Sequence, residues 1–334
     1  MTSTERPTFS VIIATRNRST LLAVSLGSVL DQQFRDFEVV VVDDGSSEEH
    51  GPRYHELAQA RTATVRLIHL LRTERGHGPG YALNYGVSQS HGEFLCFLDD
   101  DDQWIDAEHL GRAALSIRSK PEPDLILANQ RAFRADKPVP EVIWIEDLSE
   151  RLRGDPDASG AYAVTPAELL RCQGHCHLNT TIVSRSLFDK IGGFDESQRY
   201  EPDRDLYLRL LDRAGSIKYL PFIVSRHNIP DPASKASVST SQSELSKRLY
   251  QLRTCDKAVL FATRDEVRRH EMLYRAYILR HIAVEAGRMG QLESAAYYAR
   301  EGLMARFTLG WLASTVFFAF RRRFRRPVST HTNP

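Results

Sequence analysis

The first 130 residues alternate between short continuous apolar runs and longer stretches whose apolar positions fall three and four apart. FSVIIAT, residues 9–15, is β-branched and apolar throughout, which predicts a buried strand. STLLAVSLGSVLDQQ follows with Leu22, Leu26, Val29 and Leu30 at helical spacing and Ser19 or Thr20 as N-cap. Residues 37–44 predict a second buried strand, 52–61 a polar helix, 64–71 a third strand and 79–90 a helix. Residues 93–99 predict a fourth strand, 106–119 a helix and 124–130 a fifth strand. Strands alternating with helices imply right-handed βαβ units. The fold class is therefore α/β, Rossmann-like, with a mostly parallel sheet flanked by helices.

Beyond residue 133 the pattern changes. Residues 134–165 are rich in Pro, Asp and Gly and predict an irregular insertion. LNTTIVSRSLFDKIGGFDE predicts a short strand, a helix and a Gly-Gly turn. Residues 203–215 form an amphipathic helix with Leu206, Leu210 and Leu211 on one face, and IKYLPFIVSRHN predicts a further strand. IPDPASKASVSTSQS is polar with two prolines and reads as a mobile loop. From Glu244 the chain turns helical, and residues 268–287 and 292–304 predict a hairpin with Ala276, Tyr277, Ala283, Ala296 and Tyr298 at its packing positions. One such pair is not a repeat array.

The chain has 334 residues, 42% of them hydrophobic and 26% charged. It can bury a real core. A net charge of +1 gives no reason to expect nucleic acid as a partner. Four cysteines are too few for a disulfide scaffold, and the first ten residues lack the apolar segment of a signal peptide. Both point to a cytoplasmic protein.

In open α/β sheets, ligands sit beyond the carboxyl ends of the strands. The polar clusters fall there: TRNRS after strand one, DDGSS after strand two, RTERGHGPG after strand three and DDDD after strand four. Together VIIATRNR, VVVVDDGSS, FLDDDDQW, GGFDE and DRDLYLRL resemble a family 2 glycosyltransferase over residues 9 to 227. The resemblance implies a GT-A fold with a C-terminal α-helical extension, and an enzyme that uses a nucleotide-sugar donor. A diphosphate leaving group gathers charge, which carboxylate-held Mn2+ or Mg2+ would offset.

Residue by residue, the resemblance implies the following roles. The metal-binding Asp-x-Asp falls on Asp99 and Asp101, with Asp99 and Asp100 also toward the donor and Asp102 as a helix-capping or supporting residue. The four consecutive aspartates leave a register shifted by one open. Asp43 or Asp44 would accept from the nucleobase, beside Thr15 and Arg18; Arg16 and Arg18 could instead pair with those aspartates. Arg75 or His77 would lie over the phosphates. Asp203 takes the position of the catalytic base. Pro202 stands where the family usually has glutamate, and this leaves Glu201 as a second candidate. His227 is a candidate further metal ligand, and the 229–240 loop a lid.

CQGHCHLN offers Cys172, His175, Cys176 and His177, but its crowded spacing is poor for zinc. His175 and His177 are better placed to line an acceptor pocket. The expected organisation is a catalytic domain over 1–235, a helical extension over 236–305 and a tail over 306–334. That tail joins mostly apolar residues to six arginines and no acid, which suits an anionic membrane surface. The resulting expectation is an inverting, metal-dependent transfer from a UDP-sugar to a glycan or lipid-linked acceptor, peripheral on the cytoplasmic face of the membrane. A sugar nucleotidyltransferase would want a Gly-rich loop after strand one, where ATRNRST stands. A non-catalytic nucleotide-sugar-binding scaffold is the other alternative.

Overall fold

Every predicted apolar run in the first 130 residues forms a strand in the computed structural model, which describes residues 6–59, 64–230, 240 and 242–323. The strands are β1 (Phe9–Thr15), β2 (Phe37–Asp43), β3 (Val65–His69), β4 (Phe94–Phe97), β5 (Gln103–Trp104), β6 (Leu125–Arg134), β7 (Lys137–Pro138), β8 (Tyr162–Val164), β9 (Thr181–Ser184) and β10 (Ile217–Asn228). They make one sheet of order β3-β2-β1-β4-β9-β6-β10-β5, with β7 on β6 and β8 on β10. β3, β2, β1 and β4 run parallel. β9 pairs antiparallel with both β4 and β6, and β10 returns parallel to β6. The mostly parallel α/β expectation holds, with β9 as the point where direction reverses.

Helices α1 (Ser19–Leu30), α2 (Gly51–Gln59) and α3 (Pro79–Ser88) flank that parallel half, and α4 (His109–Ile117) adds Leu110, Ala113 and Ala114 to the core and sets Arg112 over Phe222 of β10. Val39 to Val42 are all essentially buried, as a strand covered on both faces requires. Each such side chain contributes roughly 1.5–3 kcal/mol of burial. α1 begins at Ser19 with Arg18 at its N-cap and no side-chain cap, so neither Ser19 nor Thr20 caps it. The Ser19 hydroxyl instead lies 3.0 Å from His50 Nδ1. Residues 134–165 carry more order than an irregular insertion, because Trp144, Ile145 and Leu148 are buried and anchor it. α5 (Pro166–Leu169), α6 (Arg185–Ile191) and α7 (Pro202–Arg213) complete this part.

The chain divides into two compact units, Met1–Thr240 and Ser241–Pro334. The second contains α8 (Glu244–Phe261), α9 (Asp265–Arg288), α10 (Leu292–Ala305) and α11 (Leu309–Arg323). Small residues let α9 and α10 approach closely: Ala283, Ala286, Ala295, Ala296 and Ala299 form a core closed by Phe318. Ala276, Ala283 and Ala296 are buried as expected, but Tyr277 is 48% exposed. Most of the expected 229–240 lid, residues 231–239, lies outside the described residues, as do Arg325 and Arg326 of the tail.

Candidate active site

The carboxyl ends of β1, β2 and β4 bring Thr15, Arg18, Asp43, Asp44 and the four aspartates to one edge of the sheet. Thr15 is buried, and its hydroxyl donates to Asp100 Oδ2 at 2.7 Å. Arg18 donates through Nη1 to Asp100 Oδ1 at 2.9 Å and to Asp101 Oδ2 at 3.0 Å. Arg18 therefore pairs with the acidic turn rather than with Asp43 or Asp44. Arg16 donates to the carbonyls of Thr73 and Glu74. Asp43 accepts from the Ser46 N–H and hydroxyl and faces His69 Nδ1 at 2.9 Å. Asp44 accepts from the N–H groups of His77 and Gly78 at 2.8 and 2.9 Å, and His77 Nδ1 lies 2.8 Å away. Gly76 is required in this loop: its φ is +68° and a Cβ would sit 2.5 Å from Asp44 Oδ2. Arg75 is exposed on the same loop.

The four aspartates alternate. The side chains of Asp100 and Asp102 are 6% and 0% exposed, those of Asp99 and Asp101 42% and 28%. Asp102 accepts from Asn179 Nδ2 at 2.6 Å, His227 Nδ1 at 2.7 Å and the Asn228 N–H at 2.7 Å. It is a buried partner of His227, and α4 starts only at His109. Burial alone would raise the Asp102 carboxyl, but the His227 hydrogen bond and charge hold it below its ordinary value. Asp101 is pushed up to about 6 by burial and by the charges of Asp102 and Asp100. Asp99 is raised well above the carboxylate range by burial and by Asp102 and Asp101. His227 is lifted to about 8, since its bond to Asp102 and the nearby carboxylates outweigh burial. Oxygens of Asp99, Asp101 and Asp102 lie within 4.8 Å of one another, and so do ligand atoms of Asp102, His177 and His227. This donor set of hard oxygens with imidazole fits Mn2+ or Mg2+.

Across the turn stands the start of α7. Asp203 lies in its first turn, and its Oδ2 is 3.1 Å from His175 Nε2. His177 Nε2 is 4.0 Å from Asp203 Oδ2 and 3.8 Å from Asp99 Oδ2, and so bridges the two groups of acids. Burial would raise the Asp203 carboxyl, but His175, His177 and the Arg204 N–H hold it well below the carboxylate range. Glu201 occupies the N-cap with left-handed backbone, φ 51° and ψ 50°. Cys176 is buried against the Ala128 carbonyl and Thr180, and Cys172 lies beside Arg151, so the two thiols face different neighbours.

Four residues of the site were not singled out from the sequence. Asn179 ties the acidic turn together, since its Oδ1 accepts from the Asp99 N–H at 2.9 Å while its Nδ2 holds Asp102. Asn228 holds the turn from β10 through Asp102 and the Asp101 carbonyl. The buried Tyr54 hydroxyl accepts from the Arg18 N–H at 3.0 Å. Trp144 packs edge-on to His177 and His227 at 5.9 and 5.1 Å. Only Trp144 left a trace in the sequence, as the aromatic of the VIWI run in a Pro-, Asp- and Gly-rich insertion.

The family model described as Glycosyl transferase family 2 matches residues 10–169, which contain β1 through β4 and the acidic turn. The chain therefore carries a glycosyl transferase family 2 domain over those residues. It is a glycosyltransferase, as the resemblance implied. Over 99 residues it is 37% identical to GalNAc(5)-diNAcBac-PP-undecaprenol beta-1,3-glucosyltransferase of Campylobacter jejuni, a match covering 30% of this chain and 31% of that relative's length. It is 26% identical over 223 residues to a PGL/p-HBAD biosynthesis glycosyltransferase of Mycobacterium bovis, covering 66% of this chain and 77% of the relative. Among solved structures, S. aureus TarS 1-349 in complex with UDP-GlcNAc superposes with a TM-score of 0.66 at 19% identity, over 95% of this chain and 93% of that one. The mannosyltransferase PcManGT from Pyrobaculum calidifontis, in complex with GDP-Man and Mn2+, gives 0.58 at 18% identity, over 95% and 85%. At such identities the likeness shows the fold, and that fold is GT-A, as the first 227 residues implied.

Proposed function

We propose that this family 2 enzyme is a metal-dependent inverting glycosyltransferase that takes a sugar from a nucleotide-sugar, UDP-linked by preference. The acceptor is a lipid-linked or cell-envelope glycan reached from the cytoplasmic face of the membrane. What carries the reading is His177, within 4.0 Å of both Asp99 and Asp203, which makes one site of the acidic turn and the start of α7. The nucleotide partners of TarS and PcManGT, and the undecaprenol-linked substrate named for the Campylobacter relative, support donor and acceptor class.

Asp99, Asp101 and His227 would hold a Mn2+ or Mg2+ ion, whose chemistry is to offset charge gathering on the departing diphosphate. His227 directs Nδ1 to Asp102, which orients its other ring nitrogen as a ligand. Arg18 pairs with Asp100, and the Thr15 hydroxyl donates to it, beneath the donor. Asp44 fixes the 76–78 loop, and the loop backbone with His77 borders the donor phosphates. Asp203 takes the acceptor hydroxyl proton as that oxygen bonds to the anomeric carbon from the face opposite the diphosphate, which leaves with its bonding electrons. His175 orients Asp203, and with His177 it borders the acceptor.

A thermal-shift screen of UDP-, GDP- and dTDP-sugars with and without Mn2+ tests this, because ligand binding stabilises by mass action. One donor should raise Tm only with metal present, and slow release of its free sugar should follow. Absence of both a metal-dependent shift and sugar release would sink the reading.

A further inference from the structure

α11 has two apolar faces where a surface helix needs one. Its inner face carries Trp311, Thr315 and Phe318: Trp311 Nε1 and the Thr315 hydroxyl both donate to the Ala299 carbonyl, and Phe318 closes the alanine core. That face is satisfied. The outer face carries Leu309 at 76% exposure, Leu312 at 37%, Val316 at 59% and Phe317 at 54%. Spacings of three, four and seven put Leu309, Leu312 and Val316 on one stripe. Met304 and Phe307, just before the helix, are 75% and 63% exposed. A contiguous exposed apolar strip of this kind marks an interaction surface.

Charge tells which partner it fits. Arg306 stands at one end of the strip and Arg321, Arg322 and Arg323 at the other, all exposed. No aspartate or glutamate follows Glu301 in the chain. A protein partner is usually met with charges of both signs; this surface is apolar along the middle and cationic at its ends, with Arg322 paired to Glu293 of α10 at 3.3 Å, and the excess of arginine suits acyl chains beneath anionic headgroups. No helix among the described residues is long and apolar enough to cross a membrane, so the strip would lie in the interface. We infer that α11 docks the enzyme on an anionic lipid bilayer, with Leu309, Leu312, Val316 and Phe317 entering the acyl boundary and Arg321–Arg323 meeting the headgroups. The inference extends the proposed function to a residue-level attachment site, and its test reads lipid binding without turnover, so the two fail separately.

The full chain should co-sediment with vesicles containing phosphatidylglycerol, much less with pure phosphatidylcholine, and should dissociate in part at high salt. Val316→Ser with Phe317→Ser should weaken vesicle binding at least tenfold. Arg321→Gln, Arg322→Gln and Arg323→Gln combined should abolish the preference for phosphatidylglycerol. Both sets lie on the exposed side of α11, and the Arg322–Glu293 pair that the second set removes is itself exposed, so Tm in the absence of lipid should change little. Vesicle binding absent in the wild type, or undiminished in the Ser variant, would overturn the proposal. So would a wild-type dimer in light scattering that Val316→Ser with Phe317→Ser makes monomeric, which would give the strip to a second copy of the chain.

Discussion

The two halves of the site treat their carboxylates in opposite ways. Beside β1 and β2, Asp43, Asp44 and Asp100 are buried, and hydroxyls, histidines, backbone N–H groups or Arg18 meet their oxygens. Toward α7 and β10, Asp99 and Asp101 face the opening, and burial with mutual repulsion raises both above the ordinary carboxylate range; burial raises Asp100 too, but there Arg18 and the Thr15 hydroxyl pull it back. One half is complete as folded. The other holds like charges together, and Arg18 on Asp101 with His227 on Asp102 offsets only part of their repulsion. The half proposed for the nucleotide can be rigid in advance; the half proposed for a metal must keep negative charge in reserve.

This contrast makes Asp101→Asn the most damaging change. It should lower Mn2+-dependent transfer by roughly 10^4-fold, the several kcal/mol a Lewis acid supplies, and abolish the Tm increase on adding Mn2+. Without metal the variant should melt no lower than wild type, because a repelling charge has gone. Retained Mn2+ stabilisation would move the ligand role to another aspartate. Asp203→Asn should come next, with turnover down about 10^3-fold while the Mn2+ and donor thermal shifts persist. Glu201→Gln should leave turnover within a few-fold of wild type. The reverse pattern would make Glu201 the base.

Much of this contrast was legible in the sequence, but unevenly. β1, β2 and β4 announce themselves as apolar runs of strand length, and the polar clusters follow from where such runs end. Which aspartate does what was not legible, since four identical residues carry no register of their own. Register comes from distant groups: Asn179 and His227 hold Asp102, Thr15 and Arg18 hold Asp100, and Asp99 and Asp101 are left facing outward. Those partners lie 77 and 125 residues from Asp102, and 85 and 82 from Asp100, in sequence. The sheet order β4-β9-β6-β10 sets such pairings, and no local pattern encodes it. Tyr277 fails for a related reason: helical spacing marks a stripe without saying how wide the buried part will be.

Asn179→Ala probes that register directly and should have a smaller effect. It removes the acceptor for the Asp99 N–H and a donor to Asp102 while leaving every proposed ligand in place. Loss of such an orienting partner typically weakens metal binding 10- to 100-fold, which Mn2+ titration by electron paramagnetic resonance would read. Unchanged Mn2+ affinity would mean that the acidic turn keeps its register without Asn179.

The smallest effect separates the site from its scaffold. His109 is buried beside Trp104, with neither ring nitrogen hydrogen-bonded among the described residues. Burial depresses its pKa to about 4. A group depressed below its unfolded value of about 6.5 binds its proton later in the folded state than in the unfolded one. Stability is therefore full above pH 6.5 and falls as pH drops toward 4, by up to about 3 kcal/mol. Protonation of Asp101 near pH 6 would weaken metal binding over the same window, so acid loss of activity in the wild type mixes two causes. His109→Leu removes one of them. Its Tm should fall less between pH 7 and pH 5 than that of the wild type, while Mn2+ affinity should fall with acid as steeply as before. If both curves flatten together, the metal half is not electrostatically separate from the packed sheet beneath it, and the contrast between a completed half and a charged one fails.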